Sequence, residues 1–327
     1  MDTALLFPGQ GSQEAAMGRD LAEADKECME LWKKAEKISG LDLRAIYWEG
    51  DAGAMAQTSH LQPALTVVNL NLWRKLSSKL KPAASAGHSL GEFSALAAAG
   101  VLPTEIILEL VSLRGRLMRD ADPQGKGAMA AIVRLPLAQV QECVAETAAS
   151  TGETILIANY NSPAQFVASG TKTAIAHIQK TVAEQRGRAL PLAVSGAFHS
   201  PLMQDAAREF ADAINSIKAS TWNAAAFDVY CNASPAPLRD CGAIKDLMIR
   251  QMTSSVFWID TIARQWDSGC RLFVECGPKG VLSKMTGLIL QEHAPSSAIH
   301  SKETPAWRSI NVGSMHAAEE FAACPSA

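Results

Sequence analysis

No apolar run in this 327-residue chain approaches the ~18 residues that a membrane-crossing helix requires, so such a helix is excluded. Charge of one sign is scarce too: 30 basic residues face 33 acidic ones, for a formal net charge of −3. Gripping nucleic acid takes a basic stripe, so nucleic acid is excluded as a partner. The seven cysteines (28, 143, 231, 241, 270, 276 and 324) form no CxxC pair. They offer neither a zinc site nor a disulfide framework and point to reduced thiols in the cytoplasm. The opening MDTALLFPGQ has no basic segment followed by a long apolar stretch, so no secretory signal is expected. Internal repeats and low-complexity linkers are missing as well.

What is present suits a soluble enzyme-sized core. Apolar residues make up 48% and charged residues 19%, enough for one large α/β domain or a core domain with a smaller lobe. Residues 3–7 are a short apolar run that ends at Pro8 and the turn Gly9-Gln10-Gly11-Ser12-Gln13. Helical spacing follows over 16–24 and again over 59–79, with Pro63 near the first turn of the second helix. A strand is expected over 82–86 and a helix over 105–120, with Thr104 as its N-cap.

The middle third reads as a strand over 128–133, a helix over 137–149 and strands over 154–158 and 165–169. Residues 159–163 join those two strands; a helix over 173–185 and a strand over 189–194 follow. This β-α-β-β-α-β order is the ferredoxin-like, split βαβ arrangement. The expected organisation is therefore α/β: a large domain with a parallel-sheet core, built from residues 1–126 and 197–327, and a small subdomain inserted over 127–196. Later elements are a strand over 228–231, helices over 241–252 and 259–267, a strand over 272–275 and a last helix over 316–323.

Between the strand at 82–86 and the next helix lies AGHSLGEFSALAAAG, residues 86–100. It contains G-x-S-x-G, the signature of a nucleophile elbow, in the strand–turn–helix context such an elbow needs. Gly87 and Gly91 let strand and helix approach without a Cβ clash, and the following helix points its N-terminal amides at Ser89. The bland alternative is a turn serine that caps a helix. A serine hydroxyl needs a base within hydrogen-bond reach. Of seven histidines, His60, His177, His293, His300 and His316 read as surface residues. His88 is adjacent to Ser89, so its side chain should diverge. His199, in VSGAFHSPLM, lies where the chain leaves the small subdomain, and position leaves it as either the base or a plain loop histidine. The Gly9-x-Gly11 turn is not a dinucleotide fingerprint, because position 14 is Glu, and no P-loop is present.

GQGSQ, GHSLGEFSALAAAG, LRGRLM and GAFHSPLM occur in that order, followed by VECGPKGVL and SINVG. The series resembles the malonyl-CoA:acyl carrier protein transacylases, the acyltransferase family of fatty acid and polyketide synthesis, over nearly the whole chain. The resemblance implies a hydrolase-like large domain carrying the ferredoxin-like lobe, and ping-pong transfer through a malonyl ester of Ser89 with His199 as base. It assigns the oxyanion hole to the backbone amides of Gln10 and Leu90, and the orientation of His199 to Gln251. Arg114 would grip the malonyl carboxylate, since a planar guanidinium pairs with a carboxylate through two parallel hydrogen bonds. Its helix neighbours Arg116 and Arg119 point elsewhere and read as solvated. Phe198 would crowd the space of a methyl branch, favouring malonyl over methylmalonyl. Asn161, with Asn159, would line the cleft from the small lobe, unless ANYNSP is simply a polar hairpin turn.

No bound cofactor and no metal are implied; the substrates are malonyl-CoA and phosphopantetheinylated acyl carrier protein. That acidic partner would meet exposed basic residues, for which Lys279, Lys284, Arg186 and Arg188 are candidates. A monomer is the default. Three rivals remain: the same transfer serving a polyketide pathway, a serine thioesterase or hydrolase on the same core, and a non-catalytic carrier-binding module.

Overall fold

The apolar runs pair into two sheets in the computed structural model, which describes residues 2–294 and 307–323. Strand β1 (Asp2–Phe7) leads into α1 (Arg19–Ala24), α2 (Lys26–Ser39), α3 (Leu43–Trp48), α4 (Ala52–Ala56) and α5 (Thr58–Leu76). Then come β2 (Pro82–Gly87), α6 (Gly91–Ala98) and α7 (Thr104–Asp120). The small antiparallel sheet belongs to β3 (Gly127–Val133), α8 (Leu137–Thr151), β4 (Ile155–Ser162), β5 (Gln165–Thr171), α9 (Lys172–Glu184) and β6 (Arg188–Pro191). The chain continues through α10 (Gln204–Ser216), β7 (Asp228–Cys231), β8 (Ser234–Leu238), α11 (Cys241–Arg250) and α12 (Trp258–Asp267). It closes with β9 (Cys270–Cys276), α13 (Val281–His293), β10 (Arg308–Val312) and a helix over Met315–Ala323.

The larger sheet has the order β10-β9-β1-β2-β7-β8. Its first five strands run parallel and only β8 is antiparallel to its neighbour. A parallel sheet is covered on both faces, which is why β1 reads as an unbroken apolar run rather than an alternation. Leu5 and Phe7 join the core that contains Trp32 and Leu65, while Ala4 and Leu6 join a second core with Trp258 and Ile262. Ser85, on β2, is fully buried and its hydroxyl donates to the Ala95 carbonyl.

The smaller sheet has the order β4-β5-β3-β6. One face packs on α8 and α9 through Ala130, Ile132, Val140, Cys143 and Ile178. The other face presents Met129, Ala131 and Val167 to the main core. Two backbone bonds, Tyr160 N–H to the Val256 carbonyl at 3.0 Å and Val256 N–H to the Ala158 carbonyl at 2.8 Å, pin β4 to the segment that follows α11.

Two expectations are corrected. β4 runs on to Ser162, so the connection shrinks to residues 163–164 and Asn159 and Asn161 are strand residues rather than loop residues. The β4–β5 register shifts twice, between Ile157 and Asn159 and between Tyr160 and Ser162, and such bulges re-aim side chains. Thr104 is the first residue of α7, not its cap; Pro103 holds the cap position.

Candidate active site

Ser89 sits in the turn between β2 and α6 with φ 49°, a left-handed conformation that a non-glycine residue adopts only under constraint. The tightness of the turn is visible at its glycines. A Cβ on Gly91 would stand 1.8 Å from the Phe7 carbonyl oxygen, and one on Gly87 would stand 1.9 Å from the Gly91 carbonyl carbon. The spacing G-x-S-x-G is thus a steric requirement of strand β1 lying against the elbow.

The Ser89 hydroxyl lies 2.8 Å from Nε2 of His199. His199 also has a left-handed backbone, φ 57°, in the turn that precedes α10. Its Nδ1 faces two carbonyl oxygens, Ser254 at 3.0 Å and Gln251 at 3.1 Å. Carbonyls only accept, so Nδ1 carries the ring proton and Nε2 offers its lone pair to the serine. Burial, reinforced by the Arg114 charge and by His88, pushes His199 down to about 3 against the pull of those carbonyls. The ring is therefore neutral at physiological pH, as a base must be.

Arg114, on α7, is 1% exposed. It donates to Gln62 Oε1 at 3.0 Å, Gln251 Oε1 at 2.9 Å and Ser89 Oγ at 3.2 Å, and its guanidinium lies 5.6 Å from the centre of the Phe93 ring. These partners are neutral, and its Nε has none among the described residues. Burial lowers Arg114 to about 10, with the Glu92 carboxylate pulling it back up, so it remains a cation. A buried cation held by amides and a hydroxyl is poised for an anionic ligand.

Gln251 touches His199, the residue that the resemblance assigns it to orient. Its backbone carbonyl, not its side chain, meets His199; the side-chain amide bridges Arg114 and the Ser89 carbonyl, the latter at 2.9 Å. Gln10 and Leu90 both line the pocket at Ser89, and their amides have no hydrogen-bond partner among the described residues. Phe198 is 4% exposed and forms part of the same wall.

The pocket holds about 100 Å³, well under the ~300–1,000 Å³ of cavities that take drug-sized ligands, so it suits a short acyl group. Asn159 lines it, whereas Asn161 faces an adjoining hollow of about 220 Å³ that shares Gln10, His88 and Leu192. Asn161 accepts from His88 Nε2 at 2.8 Å and donates to Gln165 at 3.0 Å, so the His88 side chain does diverge from Ser89.

Arg116, Arg119, Arg186, Arg188, Lys279 and Lys284 are all exposed. His293 and His316 are exposed, His60 and His177 half-buried, and His300 and Cys324 lie outside the described residues. No helix is long and apolar enough to cross a membrane, and no cluster fit for a metal occurs, both among the described residues.

Three residues of the site escape sequence reasoning. Gln62 is a lone amide inside the apolar run LQPALTVV, which is a faint hint. Asn232 and Ser254 reach the site from turns after β7 and α11, and no local pattern marks them.

The chain is similar to known acyltransferases. The model of the acyl transferase domain family matches residues 4–308. The chain is 36% identical over 322 residues to the malonyl CoA-acyl carrier protein transacylase of Haemophilus influenzae, covering 97% of this chain and 98% of that one. Against the protein of that name from Staphylococcus aureus MSSA476 the identity is 35% over 306 residues, 93% and 98% of the two chains. The crystal structure of an acyl carrier protein S-malonyltransferase from Vibrio cholerae superposes with a TM-score of 0.88 at 34% identity, over 98% of this chain and all of that one. A malonyl-transacylase in complex with a type II polyketide acyl-carrier protein also gives 0.88, at 32% identity and 98% coverage of both chains.

Proposed function

We propose that this chain, which belongs to the acyl transferase family, moves a malonyl group from malonyl-CoA to the phosphopantetheine thiol of an acyl carrier protein and so supplies fatty acid synthesis. The observation that carries the reading is the buried guanidinium of Arg114, within hydrogen-bond reach of the Ser89 hydroxyl and bonded to no carboxylate among the described residues.

In the first half-reaction the Ser89 proton passes to His199 Nε2 as Oγ attacks the thioester carbonyl. The amides of Gln10 and Leu90 take the charge that develops on the carbonyl oxygen. The intermediate collapses, the C–S bond breaks, and the departing CoA thiolate takes the proton from His199. In the second half the carrier thiol gives its proton to His199 and attacks the malonyl-serine ester, and Ser89 leaves reprotonated. Arg114 holds the free carboxylate throughout and Phe198 restricts the space beside the α-carbon. Two carbonyls hold the histidine where a triad has an acid. A neutral holder suits exchange between thioester and ester, steps of modest driving force.

The carrier is acidic by its family, and exposed Lys279, Lys284, Arg186 and Arg188 are proposed to receive it. Residues 127–196 act as the inserted lobe on a body of 1–126 and 197–327, and the protein works as a cytoplasmic monomer without cofactor or metal. A second reading, the same transfer feeding polyketide assembly, is favoured by the likeness to the transacylase held with a polyketide carrier.

The test incubates the protein with radiolabelled malonyl-CoA, quenches with acid and counts label on intact chain. Wild type takes up about one label per chain and Ser89→Ala none. Rapid malonyl-CoA hydrolysis with no label transferred to a carrier would favour the thioesterase.

A further inference from the structure

Asn232 lies in the turn between β7 and β8, 3% exposed and 143 residues from the nucleophile. Its side chain spans the elbow. Oδ1 accepts the Ser89 N–H at 2.6 Å, and Nδ2 donates to the Gly87 carbonyl, also at 2.6 Å. Asn232 is itself held, because its backbone N–H donates to Oε2 of Glu92 at 2.6 Å. Glu92 is fully buried on the first turn of α6, two residues into the helix that the elbow launches. Burial pushes the Glu92 carboxylate up to about 7, against the Asn232 amide, the Gln251 side chain and the Arg114 charge, which pull it down.

We propose that Asn232, fixed by Glu92, is the positioning residue that holds Ser89 in its left-handed conformation and so aims the hydroxyl at His199. The physical argument is one of matching. An elbow amide and an elbow carbonyl face the same side, and a primary amide offers an acceptor and a donor side by side in one rigid plane to meet them. A left-handed serine persists only where its surroundings over-determine it. Here the flanking glycines permit the conformation and Asn232 selects it. The Ser89 amide is thereby taken out of the oxyanion hole, which leaves that task to Leu90 and Gln10.

The inference rests on Ser89 being the nucleophile, so its test uses two reagents. One is malonyl-CoA, read by rapid quench as the rate of serine acylation. The other is a fluorophosphonate, which reacts with an activated serine and has no carboxylate for Arg114. In Asn232→Ala the maximal acylation rate is expected to fall at least tenfold. The half-saturating malonyl-CoA concentration should stay within twofold, because Arg114 and the pocket are untouched. Fluorophosphonate labelling should slow in parallel. Circular dichroism and thermal unfolding confirm that the variant is folded. Should it not fold, Asn232→Asp keeps the shape and the acceptor but turns a second oxygen on the Gly87 carbonyl; the same tenfold loss is expected.

A variant that acylates within twofold of wild type overturns the inference, as does a loss confined to the half-saturating concentration. Wild type that reacts with the fluorophosphonate but not with malonyl-CoA would sink the transfer reading alone. The fluorophosphonate rates would still judge Asn232.

Discussion

Ser89 Oγ and His199 Nε2 stand 2.8 Å apart across 110 residues of chain, and both residues have left-handed backbone. Each conformation costs on the order of 1–3 kcal/mol for a non-glycine residue. Both of the residues that must meet are strained, and each sits in a turn held by its neighbours. Gly87 and Gly91 close the first turn. In the second, the Ser200 hydroxyl donates to the Ala197 carbonyl at 2.6 Å and accepts from the Leu202 amide at 3.2 Å.

Arg114 is expected to set the acyl preference. Arg114→Ala should lower kcat/KM for malonyl-CoA at least about a hundredfold, about 3 kcal/mol, while acetyl-CoA gains relative to it. Arg114→Lys should recover only part, since an ammonium cannot form the paired bonds. Competition between the two thioesters measures the ratio. An unchanged ratio in Arg114→Ala removes the clamp.

Gln251 separates two roles that its position confounds. Its carbonyl serves His199 and its amide serves Arg114, so Gln251→Ala should keep the base in place and loosen the cation. Losing a hydrogen bond to a charged group costs roughly 1.5–3 kcal/mol. Malonyl transfer should therefore fall about tenfold more than acetyl transfer in the same variant. Equal losses for both acyl groups would mean that the amide acts through its bond to the Ser89 carbonyl rather than through Arg114.

The pH profile follows from burial of His199. Its pKa is depressed from 6.5 to about 3, so the neutral base persists as acid is added. The acylation kcat/KM of free enzyme should stay level from pH 8 to about 5 and decline only below that. An acid limb centred near 6.5 contradicts the buried, neutral ring.

The same depression has a consequence for stability. The folded chain binds fewer protons at His199 than the unfolded chain does, so stability at this site is complete above pH 6.5 and lost as pH falls toward 3. Glu92 works in the opposite sense. Its value is raised from 4.5 to about 7, so its contribution is present below 4.5 and lost as pH rises through 7. Glu92→Gln, which cannot ionise, should abolish that alkaline loss in thermal unfolding followed between pH 5 and 8. A loss that survives the substitution belongs to other groups.

Much of the fold is legible because its signals are local. β7 is read at its observed ends from four residues, and the βαββαβ order of the small sheet follows from runs separated by turn residues. What is misplaced is the hairpin at β4–β5, where polar Asn159 and Asn161 look like a turn. They belong to a bulged strand because Val256 and β5 supply their backbone partners from both sides, and no window of sequence contains both. Helix α2 goes unread although its signals are there: Asp25 caps it and Gly40 ends it at φ 71°.

The sequence by itself determined the turn, since a Cβ on Gly87 would meet Gly91 four residues on, although the Phe7 carbonyl that bars a Cβ at Gly91 comes only with the fold; it also determined which side chains had the chemistry to act. Tertiary structure decided which atoms of them act. Only folding brings the carbonyls of Gln251 and Ser254 under His199, turns the Gln251 amide to Arg114 and lays Asn232 across the serine. The reason is physical: a covalent neighbourhood constrains torsions, whereas a backbone carbonyl is the same in every residue and gains a role only from what packs beside it.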